Sequence, residues 1–280
     1  MRKFLSLLLL YPLLAAMPPD AAQAAGKCER LVATGNPEYP PYLWRDPQDP
    51  QHLIGANADL LALIGEQLGV KIELLYTGPW SRAQEEVRTG RVDLLAGAFR
   101  TLERLEQMDY VHPAFFRTPS VVWVRKDQVF PYATWDDLRG HVGGTLVNNS
   151  FGQRFDAFAR DNLNLEEVPS LLQAFQKLLL GRTDYVLYER YPGVALADTQ
   201  GMLDSLQTLE PPVSSEGLYL ALSHDSACND PWLRGQLAKK MTELTAAGLP
   251  ESFLQRNLER WKTQQRQAAD VPPQEQEKSQ

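Results

Sequence analysis

The side chains able to do chemistry in this 280-residue chain are few and scattered. Its four histidines, His52, His112, His141 and His224, form no H-E-x-x-H spacing, and two cysteines, Cys28 and Cys228, are too few for a four-thiol zinc site. No G-x-G-x-x-G, G-x-x-x-x-G-K or G-x-S-x-G occurs, which argues against dinucleotide folds, P-loop phosphate binding and a serine nucleophile elbow. No catalytic residue, metal or cofactor is therefore expected. A formal charge of −7 offers no basic surface for nucleic acid. What remains is charge pairing. A guanidinium clamps a carboxylate through paired hydrogen bonds, and a carboxylate holds an ammonium. Brought together in a cleft, the two would make an amino-acid site. Strand ends and helix starts suit it, because free backbone N–H groups there favour the anionic end.

The elements that could position such groups alternate. Leu31 to Thr34 reads as a buried strand, Asn57 to Leu68 as a helix stopped by Gly69, and Val70 to Leu74 as a half-buried strand of period two. A helix from Trp80 to Thr89, closed by Gly90, leads to a strand at Val92 to Leu95, and Pro119 to Val124 is a further β-rich run. A second unit repeats the theme. Thr134 to Asp137 has the form of a capping box, Val142 to Val147 reads as a strand and Ser150 to Asp161 as a helix. Leu171 to Leu179 stripes another helix, and Asp184 to Tyr188 and Leu218 to Leu222 read as strands. Helices from Pro231 to Ala247 and Pro250 to Trp261 close the fold. Beyond them the sequence has little to bury, which predicts a disordered tail over 263–280. The βαβ order implies an α/β fold with mostly parallel sheets flanked by helices, and ligands bind such sheets beyond the carboxyl ends of their strands.

The N-terminus indicates the compartment. Arg2 and Lys3 precede an apolar run from Phe4 to Met17, and Ala22-Gln23-Ala24 has the form of a cleavage site. Residues 1–24 therefore read as a secretory signal, about 14 apolar residues being too few to span a bilayer. No other segment is long enough to span, so an exported chain that does not itself cross the membrane is expected. Export permits a disulfide between Cys28 and Cys228, whose loop of roughly 200 residues would restrict the unfolded chain by about 5 kcal/mol. Two buried thiols are the alternative.

The stretch from Val92 to Phe115, VDLLAGAFRTLERLEQMDYVHPAF, resembles the signature of the family 3 periplasmic solute-binding proteins, the polar-amino-acid receptors of ABC importers. Thr101-Leu102-Glu103-Arg104 fits the family's T-x-x-R element, whose arginine grips the ligand carboxylate. Gly35 to Tyr42 resembles the first loop, bringing Asn36 and Tyr39 to the ligand, and Pro79 to Arg82 a loop whose apolar residue, here Trp80, packs on it. His141 to Gly152 resembles the strand and helix start that place Asn149 and Ser150 near the carboxylate. Gly181 to Asp184, followed by Glu189, resembles the element whose acid binds the ammonium. The likeness runs from about Cys28 to Trp261.

The resemblance implies a type II two-lobe fold with the ligand cleft between lobes. Lobe 1 would comprise 25–118 and 220–262, and lobe 2 would comprise 119–219. It implies a monomer that closes on an amino acid or similar small carboxylate and delivers it to an inner-membrane ABC permease. Members that bind basic amino acids often carry Asp where this chain has Asn36, and serines where it has Gly97 and Phe99. The substitutions make the expected pocket aromatic, with Tyr39, Trp80 and Phe99 sandwiching the ligand side chain. Arg82 and Arg100 are further cations nearby, read as a solvated face. Two other roles fit the same scaffold: a binding protein that presents its ligand to a signalling receptor, and a cyclic-acid dehydratase using Glu189 as general acid or base.

Overall fold

Two strands of 18 residues each, β7 (Met108–Arg125) and β11 (Leu206–Ser223), organise the molecule. A computed structural model describes residues 28–270, so the signal segment 1–24 and residues 271–280 lie outside the described residues. In chain order the first elements are β1 (Arg30–Thr34), β2 (Glu38–Tyr39), β3 (Leu43–Arg45), β4 (Leu53–Ile54), α1 (Ala56–Leu68), β5 (Lys71–Leu74), α2 (Trp80–Arg88), β6 (Leu94–Phe99) and α3 (Leu102–Leu105). After β7 come a 3-10 turn (Trp135–Leu138), β8 (Val142–Leu146), α4 (Gln153–Asn162), β9 (Asn164–Val168), α5 (Leu171–Leu179), β10 (Tyr185–Glu189) and α6 (Arg190–Thr199). β11, α7 (Pro231–Ala246) and α8 (Leu249–Asp270) complete it.

One eight-stranded sheet runs in the order β5-β1-β6-β11-β7-β10-β8-β9, with a small antiparallel sheet β2-β3-β4 beside it. At one end β5, β1 and β6 are parallel, and at the other β10, β8 and β9 are parallel. Between them β7 and β11 pair antiparallel and reach both ends. Leu218 to Leu222 of β11 lie against β6, whereas Leu206 to Leu209 lie against Val122 to Arg125 of β7. The α/β character expected from the sequence is present, with this antiparallel ribbon inserted between two parallel sets.

Local signals explain most helices. α1 buries Leu60, Leu61 and Ile64 and ends on Gly69 at φ +67°, a left-handed position that glycine takes without a Cβ clash. Ser170 caps α5 by accepting from Gln173 N at 3.2 Å, and Asp230 caps α7 by accepting from Leu233 N at 3.0 Å. The side chain of Asp137 accepts from Thr134 N at 2.8 Å, as the capping box requires.

Several expectations change. The run at Pro119–Val124 is only the end of β7. Its first ten residues alternate between buried and half-exposed and contain His112-Pro113, so no apolar run marks them. The helix expected from Ser150 starts at Gln153, because Ser150 and Phe151 form the turn that enters it. The part of the expected disordered tail that falls within the described residues, 263–270, is helix: α8 continues to Asp270. Trp44 explains this extension. Its ring meets Trp261 edge-on at 5.4 Å and its Nε1 donates to Gln264 Oε1 at 3.0 Å, which ties the last turns to β3. Cys28 and Cys228 are disulfide-bonded, with Cα atoms 5.6 Å apart, fastening the start of the described chain to the turn before α7.

Candidate functional site

The site grows from the end of β6. After Phe99 the chain turns, and Thr101 Oγ1 accepts from Arg104 N at 3.2 Å, starting the four-residue α3. A second partner comes from the far end of the sheet, since Leu102 N donates to Gln153 Oε1 at 2.9 Å. This short helix projects Arg104 inward, where it is 7% exposed. Its guanidinium donates from Nη1 to Phe99 O at 3.0 Å, and from Nη2 to Gln84 Oε1 at 2.9 Å and Asn148 O at 3.0 Å. It lies 5.6 Å from the Trp80 ring centroid. Three of five N–H bonds are thus engaged, all by neutral oxygens, and among the described residues no carboxylate forms an ion pair with it.

Glu189 closes β10 and is 3% exposed. Among the described residues its Oε2 has no hydrogen-bond partner. Burial pushes its carboxyl up to about 7, against the opposing pull of a hydrogen bond from its own backbone and of the Arg104 charge. The two groups singled out from the sequence are therefore both buried and electrostatically coupled.

Nine of the ten residues singled out from the sequence line one chamber. Asn36, Tyr39 and Glu189 stand on its wall with Gly97 and Phe99 of β6, while Trp80, Arg104, Asn149 and Ser150 complete it. Thr101 does not: it faces an adjoining groove of about 580 Å³, with which the chamber shares Arg104, Asn149 and Ser150. The chamber itself measures about 20 Å³, room for one water-sized group. Tyr39, Trp80 and Phe99 line it, but they leave no space in this conformation for a side chain sandwiched between them.

Two of these residues are committed to the scaffold. Asn36 Nδ2 donates to Tyr188 OH at 2.9 Å and its Oδ1 accepts from Glu38 N at 3.0 Å, so both ends of its amide are occupied. Ser150 donates to Asp156 Oδ2 and accepts from Gly152 N at 3.1 Å, which shapes the entry to α4. Gly97 has φ +124°, and a Cβ there would come within 2.8 Å of Asn57 Nδ2. Arg82 pairs with Glu86 at 2.5 Å, and Arg100 is exposed, as a solvated face requires.

The sequence reading missed three residues. Asn57, 1% exposed in the first turn of α1, donates from Nδ2 to Ala96 O at 2.6 Å and leaves Oδ1 without a partner. Gln84 stands one turn after Trp80 on the same face of α2, a spacing that was visible. Asn148 has φ +58°, the positive value that Asn tolerates best after Gly, and its carbonyl receives both Arg104 and Gln84 Nε2. The Asn148-Asn149 pair was the available signal.

Comparison with known proteins assigns the chain to a family and a fold. The sequence pattern described as bacterial extracellular solute-binding proteins, family 3, matches residues 31–261. No curated protein matches the chain. Among solved structures it is similar to a mutant of ArgBP from T. maritima, at 21% identity and TM-score 0.68, covering 84% of this chain and 96% of that one. It is similar to the amino acid ABC transporter substrate-binding protein AbpA from Streptococcus pneumoniae bound to L-arginine, at 20% identity and TM-score 0.68, with 83% and 96% covered. A histidine kinase sensor domain with similarity to periplasmic binding proteins aligns at 24% identity and TM-score 0.70, with 83% and 97% covered. The two-lobe fold is that of these proteins.

Proposed function

Because the chain belongs to family 3 of the bacterial extracellular solute-binding proteins, we propose that it captures an amino acid or similar small zwitterion between lobes formed by 25–118 with 220–262 and by 119–219. The observation that carries this reading is the set of buried polar atoms around the chamber that have no partner among the described residues. Trp80 Nε1 and Asn149 Nδ2 are donors, and Asn57 Oδ1 and Glu189 Oε2 are acceptors. Each unsatisfied buried group costs about 1–3 kcal/mol, so a ligand that satisfies several gains affinity from the same atoms that destabilise the free protein. A carboxylate answers the donors beside Arg104, and an ammonium answers Glu189 and Asn57. Thr101 supports this indirectly by starting the helix that carries Arg104.

In this reading the protein is exported by residues 1–24, works as a monomer and hands its ligand to an ABC permease. Calorimetric titration of the mature chain with the twenty amino acids tests the capture step, and saturable one-to-one binding is expected. Binding by none of them would overturn it. Co-purification with a membrane permease, or instead with a receptor kinase, separates transport from signalling.

A further inference from the structure

We infer that Gln84 is a positioning residue that sets the preference of the site for a carboxylate: it holds the Arg104 guanidinium with a neutral oxygen and leaves the charge to be answered by the ligand. This rests on the amino-acid reading above and deepens it. The guanidinium donates to three oxygens, the backbone carbonyls of Phe99 and Asn148 and Oε1 of Gln84. Gln84 is the one acceptor of the three that a substitution can change. It reaches Arg104 from the face of α2 that also carries Trp80, whose ring centroid lies 5.6 Å from the guanidinium. Both ends of its amide are used, since Nε2 donates to Asn148 O at 3.1 Å while Oε1 accepts from Arg104 Nη2 at 2.9 Å.

The next two residues of α2 show what an acid does beside an arginine. Gln84, Glu85 and Glu86 follow one another, and each meets at least one guanidinium. Glu85 pairs with Arg88 at 2.7 Å, and Glu86 pairs with Arg82 and Arg91 at 2.5 Å. All three of those arginines are exposed. The amide faces the buried one, Arg104. A glutamate has nearly the same shape as glutamine and would give Arg104 a counter-charge at hydrogen-bonding distance. The buried charge would then be compensated within the protein, and an arriving carboxylate would meet a neutral pair instead of a cation. With Gln84 in place that compensation is left to the ligand. A charge-assisted bond from Arg104 to a carboxylate is about twice as strong as one to a neutral carboxamide.

Calorimetry on the mature chain, Gln84→Glu and Gln84→Met decides the matter. The probes are the twenty L-amino acids and, for each that the wild type binds, its primary carboxamide. Gln84→Met removes both hydrogen bonds and adds no charge, so it should weaken acid and carboxamide alike, by about three- to tenfold. Gln84→Glu should weaken the acid at least about a hundredfold, the scale of a lost charge pair, and the carboxamide only as much as Gln84→Met does. The preference for acid over carboxamide should therefore fall at least about tenfold in Gln84→Glu and stay within about threefold of wild type in Gln84→Met. Equal weakening of the acid by the two variants, or an equal effect of Gln84→Glu on acid and carboxamide, would overturn the inference while leaving amino-acid capture intact. Thermal unfolding adds a readout without ligand. Gln84→Glu should melt no lower than Gln84→Met, and a lower midpoint or a failure to fold would overturn the inference, because the introduced carboxylate would not have paired with Arg104. Binding of no amino acid by the wild type would overturn the capture reading and the inference with it.

Discussion

Glu189 is a buried acid with one unpartnered oxygen, raised from 4.5 to about 7 chiefly by burial. A carboxyl raised on folding binds its proton more tightly in the native state, so between about pH 4.5 and 7 stability falls as pH rises and then levels off. The shift corresponds to roughly 3 kcal/mol at alkaline pH. Glu189→Gln should therefore raise the melting temperature of the ligand-free protein at pH 8 and change little at pH 4, read by thermal unfolding across pH. The same substitution removes the charge that answers an ammonium, so stability and binding should move in opposite directions. In the wild type, an ammonium on Glu189 favours its ionised form. Binding at pH 6 should release a proton, seen as a dependence of the calorimetric heat on the ionisation enthalpy of the buffer; equal heats in all buffers would refute the pairing. Arg104→Ala should lose about 2–5 kcal/mol of binding, the scale for truncating one member of a buried charge pair. Arg104 and Glu189 were legible in the sequence because they sit in recognisable patterns. Asn57 was not, because a polar residue at the start of a helix reads as a helix start, and only β6 packed against it shows its oxygen to be unpaired.

Among the elements, β6 and α3 join the scaffold to the site. Gly97 makes β6 bend at φ +124° against Asn57, so Gly97→Ala adds backbone strain and a 2.8 Å contact. A loss of about 1–3 kcal/mol is expected, read as a lower midpoint in urea. Helices α1, α2, α5 and α7 were readable because each carries an apolar stripe and a stop or a cap. The two-residue strands β2 and β4 carry too little pattern to be seen. β7 and β11 were seen only where both faces are buried, since their remaining length is half-exposed and interrupted by proline.

At the scale of the molecule, side chains from one end of the sheet bond directly to the other. Gln84 and Arg104 meet the Asn148 carbonyl, Gln153 meets Leu102 N, and Glu38 Oε2 accepts from Leu171 N at 2.8 Å at the start of α5. Gln84→Ala combined with Gln153→Ala should loosen this closed arrangement, seen as a larger radius of gyration of the ligand-free protein by small-angle scattering. An unchanged radius would show that the antiparallel pair β7 and β11 alone sets the shape. The outermost fastening is covalent, joining Cys28 to Cys228 across 200 residues of chain. It encloses β1 through β11, and with them every residue of the chamber. A protease that nicks any one exposed loop between those cysteines would thus leave the pieces in a single covalent unit, migrating as an intact chain on a non-reducing gel and separating into fragments only when thiol is added.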